Sequence, residues 1–246
     1  KRILTSENSN NECANRLIKE IINYCSNDKI SSIHANFISK DEINLFKNNK
    51  FMIRSGIQYH FINKNYKNFE DFLSKLSYKK RKSITKERKT LLKNNIITEV
   101  LEKDKIDEEV CKQIYLFYID TIEKKWSSNY LTEKFFLNLI NYLKDQIIVI
   151  VAKKNNKVIA ASLNFLSNNC LFGRYWGCIE NIPFLHFEVC YYTAIEFSIN
   201  RGIKIVEAGA QGEHKIQRGY IPQQTFSAHL IFNKTLEGAI SNFIEE

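Results

Sequence analysis

A chain of 246 residues with 44% hydrophobic and 13% aromatic content carries enough apolar surface for one large or two small cores, which excludes a disordered or low-complexity protein. Its longest nearly apolar runs, such as Gln146 to Ala152, are of strand length, so no membrane span of about 20 residues is expected. The formal charge of +9 is concentrated: Lys75 to Lys93 holds nine basic residues against the single acid Glu87, a net +8 that leaves +1 for everything else.

In chain order, the spacing of Cys13, Leu17, Ile18, Ile21 and Ile22 predicts a helix over 7–25. A strand over 31–38, a short helix over 40–47 and a strand over 51–62 follow. The stretch 69–94 lacks proline and glycine and reads as one long basic helix, anchored by Leu73, Leu76, Ile84 and Leu91. After a strand over 96–101, helices are expected at 107–126 and 132–144. The period then changes to strands at 147–152, 157–166 and 170–177, with polar turns between them. A helix over 185–200, closed by Gly202, feeds a strand over 203–206, then a glycine-rich loop, a strand over 225–232 and a last helix over 236–245.

The six cysteines form no C-x-x-C pair and read as reduced, mostly buried thiols of a cytoplasmic protein. His186 and Cys190 would share a helix face, yet the second half of a zinc site is missing, so no metal is expected. The amino terminus begins at Lys1 without a signal-peptide pattern, which reads as a truncation or processing point. No nucleophile elbow, phosphate-binding P-loop or dinucleotide fingerprint occurs, so hydrolase, kinase and dehydrogenase readings find no support.

The segment most suggestive of chemistry is AGAQGEHKIQRGY, Ala208 to Tyr220. It packs three glycines, an acid, a histidine and two cations directly after an apolar strand, where α/β folds place their sites. The bland alternative is a solvated turn. The basic stretch likewise reads either as a phosphate-binding surface, with Lys79, Lys80, Arg81 and Lys82 at its centre, or as a solvated connecting helix.

The strings RSGIQYHFINKNYKNFEDFL (54–73), KKRKSITKER (79–88), GRYWGC (173–178), LHFEVCYYTAIEFSI (185–199) and EAGAQGEHKIQRGYIP (207–222) resemble the FemAB-like peptidoglycan biosynthesis/recognition family. That family belongs to the GNAT-like N-acyltransferase superfamily, and the likeness runs from about Ser31 to the C terminus. It implies an α/β (α+β) fold of tandem GNAT-like units, with mixed central sheets flanked by helices and the first unit truncated. Residues 1–68 would be the back half of the first unit, 69–94 a connecting helix, and 95–246 a complete second unit. It also implies transfer of an acyl or aminoacyl group, from acyl-coenzyme A or aminoacyl-tRNA, to a small-molecule or peptidyl amine without a covalent enzyme intermediate. Family members generally carry a further amino-terminal portion. GNAT enzymes cradle the coenzyme pyrophosphate on a Q/R-x-x-G-x-G/A loop. The equivalent stretch here, GCIENIPFLHFE, has Gly177 as its only glycine, which with the basic helix tilts the expectation toward a larger or tRNA-borne donor.

Amide-forming transfer needs a base for the attacking ammonium, donors for a developing oxyanion and cations for the donor's phosphates. Glu207, His214 and Glu213 are the first candidates for the base or for amine positioning, followed by His186 and Glu188, for which helix capping is the competing reading. Arg174, Trp176, Gln211, Lys215, Arg218, His60 and Gln58 are candidates for substrate binding. Alternation places Arg174 and Trp176 on one strand face and Tyr175 on the other. A different class of function remains open: a non-catalytic protein that holds RNA or a peptidoglycan precursor on its basic helix.

Overall fold

The computed structural model describes residues 1–6, 11–124 and 128–245. Its elements are α1 (Asn11–Asn27), β1 (Ser32–Ile38), α2 (Ile43–Asn48), β2 (Met52–Ile62), α3 (Phe69–Ser74), α4 (Tyr78–Lys93), β3 (Ile96–Glu102), α5 (Glu108–Glu123) and α6 (Glu133–Leu143). Then come β4 (Ile147–Lys154), β5 (Lys157–Leu166), β6 (Cys170–Cys178), α7 (Leu185–Phe187), a π-helical turn (Glu188–Tyr192), α8 (Thr193–Asn200), β7 (Ile205–Glu207), a 3-10 turn (Glu213–Arg218), β8 (Ile221–Ile231) and α9 (Lys234–Glu245). The expected start of the first helix at 7–10 and the expected end, at 125–126, of the helix that starts at 107 lie outside the described residues.

Three local expectations are corrected. The basic segment is two helices: Asn68 caps α3 by accepting from the Asp71 N–H at 2.8 Å, and Ser77, in extended conformation with φ −58 and ψ 152, opens α4. The strand expected at 203–206 starts only at Ile205, because Gly202 takes a left-handed φ of 67 and the Ile203 N–H closes the preceding helix onto the Ser198 carbonyl at 2.9 Å. The strand expected at 225–232 already begins at Ile221, because the left-handed Gly219 ends the 3-10 turn and turns the chain out of it.

By compactness the chain divides into residues 1–58 with 223–246, and residues 59–222. The C-terminal strand belongs with the first group because β8 pairs antiparallel with β1, from Ser32↔Ile231 to Asn36↔Ser227. The boundaries expected at 68 and 94 both fall inside the second unit. The first unit buries Ile18, Ile38, Phe46, Phe51 and Ala228. On its sheet His34 and His229 are cross-strand partners with their Nδ1 atoms 2.7 Å apart, and the Nε2 of each meets a serine hydroxyl.

The second unit is a mixed sheet in the order β2-β7-β6-β5-β4-β3, with the residues of β2 from Tyr59 onward at its edge. β6 and β7 are parallel, joined by the helical crossover through α7 and α8, while the other pairs are antiparallel. β4 is apolar without alternation because both its faces are covered. Ile147, Val149 and Val151 meet the core under α5 and α6, and Ile148, Ile150 and Ala152 meet the core that includes Ile84 and Leu91 of α4 and Ala194 and Ile195 of α8. The protein is thus a mixed α/β fold, with its sheet flanked by helices.

Gly177 serves packing. A Cβ there would sit 2.3 Å from the Phe117 carbonyl oxygen and 2.7 Å from the Phe117 Cβ, so β6 lies against the backbone of α5 only because the side chain is absent. Gly177→Ala is expected to destabilise the protein by at least about 1–3 kcal/mol, the usual cost of overpacking, measurable as a lowered urea midpoint.

Candidate active site

The parallel pairing of β6 with β7 ends at Phe172↔Glu207. Beyond that point β6 continues to Cys178, whereas the other chain leaves the sheet as the loop 208–212, and the two part. The opening is a cavity of about 790 Å³, and both departing strands line it: Gly173 to Trp176 from β6, Glu207 and the loop from β7. A β-bulge widens it, for the register passes from Leu163↔Tyr175 to Asn164↔Gly173 and leaves Arg174 unpaired in the ladder and exposed at the wall. Trp176 packs toward one core and Tyr175 toward the other, yet Arg174, Tyr175 and Trp176 all line the cavity.

The opposite wall comes from the helical crossover. The π-helical turn at Glu188–Tyr192 shifts the helix register, a distortion frequent at functional sites, and Cys190 and Tyr191 reach the cavity from it. Burial raises the pKa of both the Cys190 thiol and the Tyr191 phenol, which keeps them protonated and rules neither in as a nucleophile at neutral pH. The Tyr191 hydroxyl meets His214 Nε2 at 3.2 Å, and the His186 ring lies 4.9 Å from Trp176 and 5.1 Å from Tyr191.

Glu207 is the sole carboxylate among the described residues that line the cavity. Its Oε1 lies 3.7 Å from His60 Nε2, brought there by the antiparallel partnership His60↔Glu207 of β2 and β7. Lys215, only 3% exposed, donates from Nζ to the carbonyls of Gly209, at 3.3 Å, and Gln211, and so holds the loop closed from inside. Burial lowers its pKa. Gly212 makes the loop possible: its φ is 96, and a Cβ would stand 2.3 Å from the His214 ring.

Burial lowers the pKa of His60, an effect Glu207 partly offsets, and it lowers that of His214, where Arg218 and Lys215 add to it. A histidine whose folded pKa is depressed binds fewer protons than in the unfolded chain. Its contribution to stability is therefore complete above about pH 6.5 and is lost as pH falls through the depressed values. The thermal midpoint is expected to fall on acidification from pH 7.5 to 5.5, and to fall less in a His60→Gln, His214→Gln double variant.

The sequence profile of the FemAB-like family, described as peptidoglycan biosynthesis/recognition, matches residues 1–246. The chain belongs to the FemAB-like family. No curated protein matches it in sequence. Among solved structures it is similar to the C-terminal domain of a putative lysylphosphatidylglycerol synthetase from Agrobacterium fabrum, with TM-score 0.70 and 9% identity over 96% of this chain and 78% of that one. It is similar also to FemX, with TM-score 0.64 and 12% identity over 94% and 80%, and to a GCN5-related N-acetyltransferase from Kribbella flavida, with TM-score 0.50 and 8% identity over 93% and 79%. At such identities the likeness is one of fold, and the fold is GNAT-like.

In this FemAB-like chain the candidate residues separate into two sets. Glu207, His214, His186, Arg174, Trp176, Gln211 and Lys215 line the cavity, with His60 beside Glu207. The others stand elsewhere. Glu213 is exposed outside the lining, and Gln58, half-buried, ends the amino-terminal segment of the first unit. Glu188 is buried against Arg88, whose Nη2 lies at 2.9 Å, and accepts from Thr193 at 3.1 Å; burial, partly offset by Arg88, holds its pKa above the usual carboxylate value. Arg218, 8% exposed, pairs with Glu87 at 3.1 Å, donates to the His214 carbonyl at 2.8 Å and stacks on Phe187. Lys79 is exposed and Lys80 half-buried on α4.

Sequence reading missed Asn164, Tyr118, Tyr130 and Tyr191 in the lining. One signal was available: Ser162 and Asn164 are polar residues two apart in the apolar strand AASLNF, hence on one face, and both are buried at the cavity wall. Asn164 is fixed there by donating to the Ile148 carbonyl at 3.2 Å and the Ser162 hydroxyl at 3.2 Å.

Proposed function

We propose that the FemAB-like chain transfers an acyl or aminoacyl group from a carrier to an amine by direct attack in this cavity. Family membership and the GNAT-like fold support a transferase of this class, and the observation that carries the assignment is Glu207, the one carboxylate among the described residues of the lining, at the point where β6 and β7 part and within reach of His60. The acceptor arrives as an ammonium. Glu207 takes one proton, the amine nitrogen bonds to the acyl carbon, and the carrier's oxygen or sulfur leaves with the bonding pair and takes up the second proton that the nitrogen gives up as the amide forms. His60, whose lowered pKa keeps it neutral near pH 7, orients Glu207 and relays the proton outward. Lys215 offers a cation to the oxyanion that develops on the acyl oxygen, and it also keeps loop 208–212 in shape. Arg174, exposed at the bulge, is placed to meet an anionic portion of either substrate.

The donor is acyl-coenzyme A or aminoacyl-tRNA. Gly177 fills a packing role against α5, so the stretch after β6 has no glycine left to cradle a pyrophosphate, and this favours the aminoacyl ester. The acceptor that fits the family's description is a peptidoglycan precursor amine. The test is a pair of label-transfer assays, one with radiolabelled acetyl-coenzyme A and one with radiolabelled aminoacyl-tRNA, on a lysine-bearing peptidoglycan stem peptide. Label on the peptide in either assay supports transfer, and from tRNA alone it supports the aminoacyl reading. Binding of both donors without transfer of label in either assay would leave the cavity a binding site only.

A further inference from the structure

The outer face of α4 has no part in the cavity. Of its cations, Arg88 pairs with Glu188 and Glu196, while none of Arg81, Lys82, Lys86, Lys89 and Lys93 has an ion-pair partner among the described residues. These five, with Tyr78, Thr85 and Thr90, line a shallow groove of about 540 Å³ along the helix. Lys82, Lys86, Lys89 and Lys93 recur at helical spacing, a row of four charges over about 16 Å at 1.5 Å per residue. The row is rigid because Ile84, Glu87 and Leu91 are buried on the opposite face and the pairs Glu87–Arg218 and Arg88–Glu188 fasten it. At its head the Tyr78 ring is 69% exposed, with the Arg81 guanidinium and the Lys82 ammonium each 5.9 Å from its centre.

We infer that this face is a binding surface for an RNA strand, whose phosphates follow the lysine row while a base stacks on Tyr78. A line of cations at intervals of about 5–6 Å suits a phosphodiester backbone, and an exposed aromatic ring beside cations is the platform that single-stranded nucleic acid uses. An anionic membrane fits less well: interfacial helices bury an apolar stripe, and the exposed apolar side chains of α4 are Tyr78 and Leu92, far apart along the helix. The groove shifts the anion site from the Lys79–Lys82 run to every fourth or third residue, with Arg81 and Lys82 common to both. The inference is independent of the transfer chemistry, since RNA would bind whether or not Glu207 acts as a base.

Fluorescence anisotropy of the full chain with a labelled 12-nucleotide RNA of mixed sequence tests it. Five phosphate contacts predict a slope of about −3.5 in log K against log salt, an affinity loss of about a hundredfold between 50 and 200 mM salt. The triple variant Lys82→Ala, Lys86→Ala, Lys89→Ala, which leaves the buried face of α4 intact, is expected to reduce the slope to about −1.4 and that loss to about sevenfold. Tyr78→Ala is expected to weaken RNA at least about fivefold while leaving binding of inorganic polyphosphate unchanged. RNA affinity and slope unaffected by the triple variant would overturn the inference. So would binding to vesicles of equal parts phosphatidylglycerol and phosphatidylcholine without binding to RNA, which would assign the face to a membrane surface.

Discussion

Replacing Glu207 with glutamine is expected to lower the transfer rate by about 10²- to 10⁴-fold, the range that a positioned general base contributes, while the thermal midpoint stays near that of the parent. The substitution keeps the shape of the side chain and removes only its capacity to take a proton. Glu207 is partly exposed in the cavity wall, and its one ion-pair contact among the described residues is to His60, at 3.7 Å and neutral near pH 7, so the fold does not rest on its charge. The pH dependence separates a base from a group that merely orients the amine. With a base, the residual activity of the glutamine variant rises with pH as more of the acceptor is present as free amine, whereas an orienting carboxylate leaves the profile of the parent in place. Steady-state rates of both proteins between pH 6 and 9 check this.

The second large effect is on stability. Arg218→Ala is expected to destabilise the protein by about 3–5 kcal/mol, because it strands Glu87 in the interior. Both side chains of this pair are 9% exposed, and the Glu87 carboxylate also receives the Tyr192 hydroxyl and, at 3.1 Å, that of Ser83. Arg218 in turn rests 3.4 Å above the centre of the Phe187 ring and ties down the 3-10 turn through the His214 carbonyl. Replacing the pair together, Glu87→Met with Arg218→Met, is expected to recover most of the loss, since a well-packed apolar pair removes the uncompensated charge. Urea unfolding of the singles Glu87→Met and Arg218→Met and of their double closes the thermodynamic cycle, and a coupling energy near zero would show that the two residues act separately.

These two sites show what could and could not be read from the chain. The strand at Ile147–Ala152 was legible because burial on both faces leaves an unbroken apolar run, and the glycine-rich segment was legible because left-handed turns demand glycine. Glu87 was seen only as the one acid in a basic stretch. Its meaning lies in a contact with Arg218, 131 positions away, and no local pattern encodes that. Arg218 and Glu188 are charged residues in suggestive segments that turned out to sit in buried ion pairs, since the identity of a charged residue does not tell whether it faces a cavity or a partner. The break between α3 and α4 was hidden because Lys75, Leu76 and Ser77 are all compatible with a helix, and the chain leaves helical geometry there for tertiary reasons, with Leu76 drawn into the core. The family resemblance supplied the fold class, and the cavity supplied the selection among candidates.

The most direct test of the central claim is a hydrogen-exchange footprint of the intact chain with each donor, acetyl-coenzyme A and aminoacyl-tRNA, in turn. The account predicts that a donor which supports transfer slows exchange in Ala208 to Lys215 and Gly173 to Cys178, the two segments that diverge to form the cavity. Unchanged exchange in both segments under a donor that demonstrably binds would contradict it and place the chemistry elsewhere.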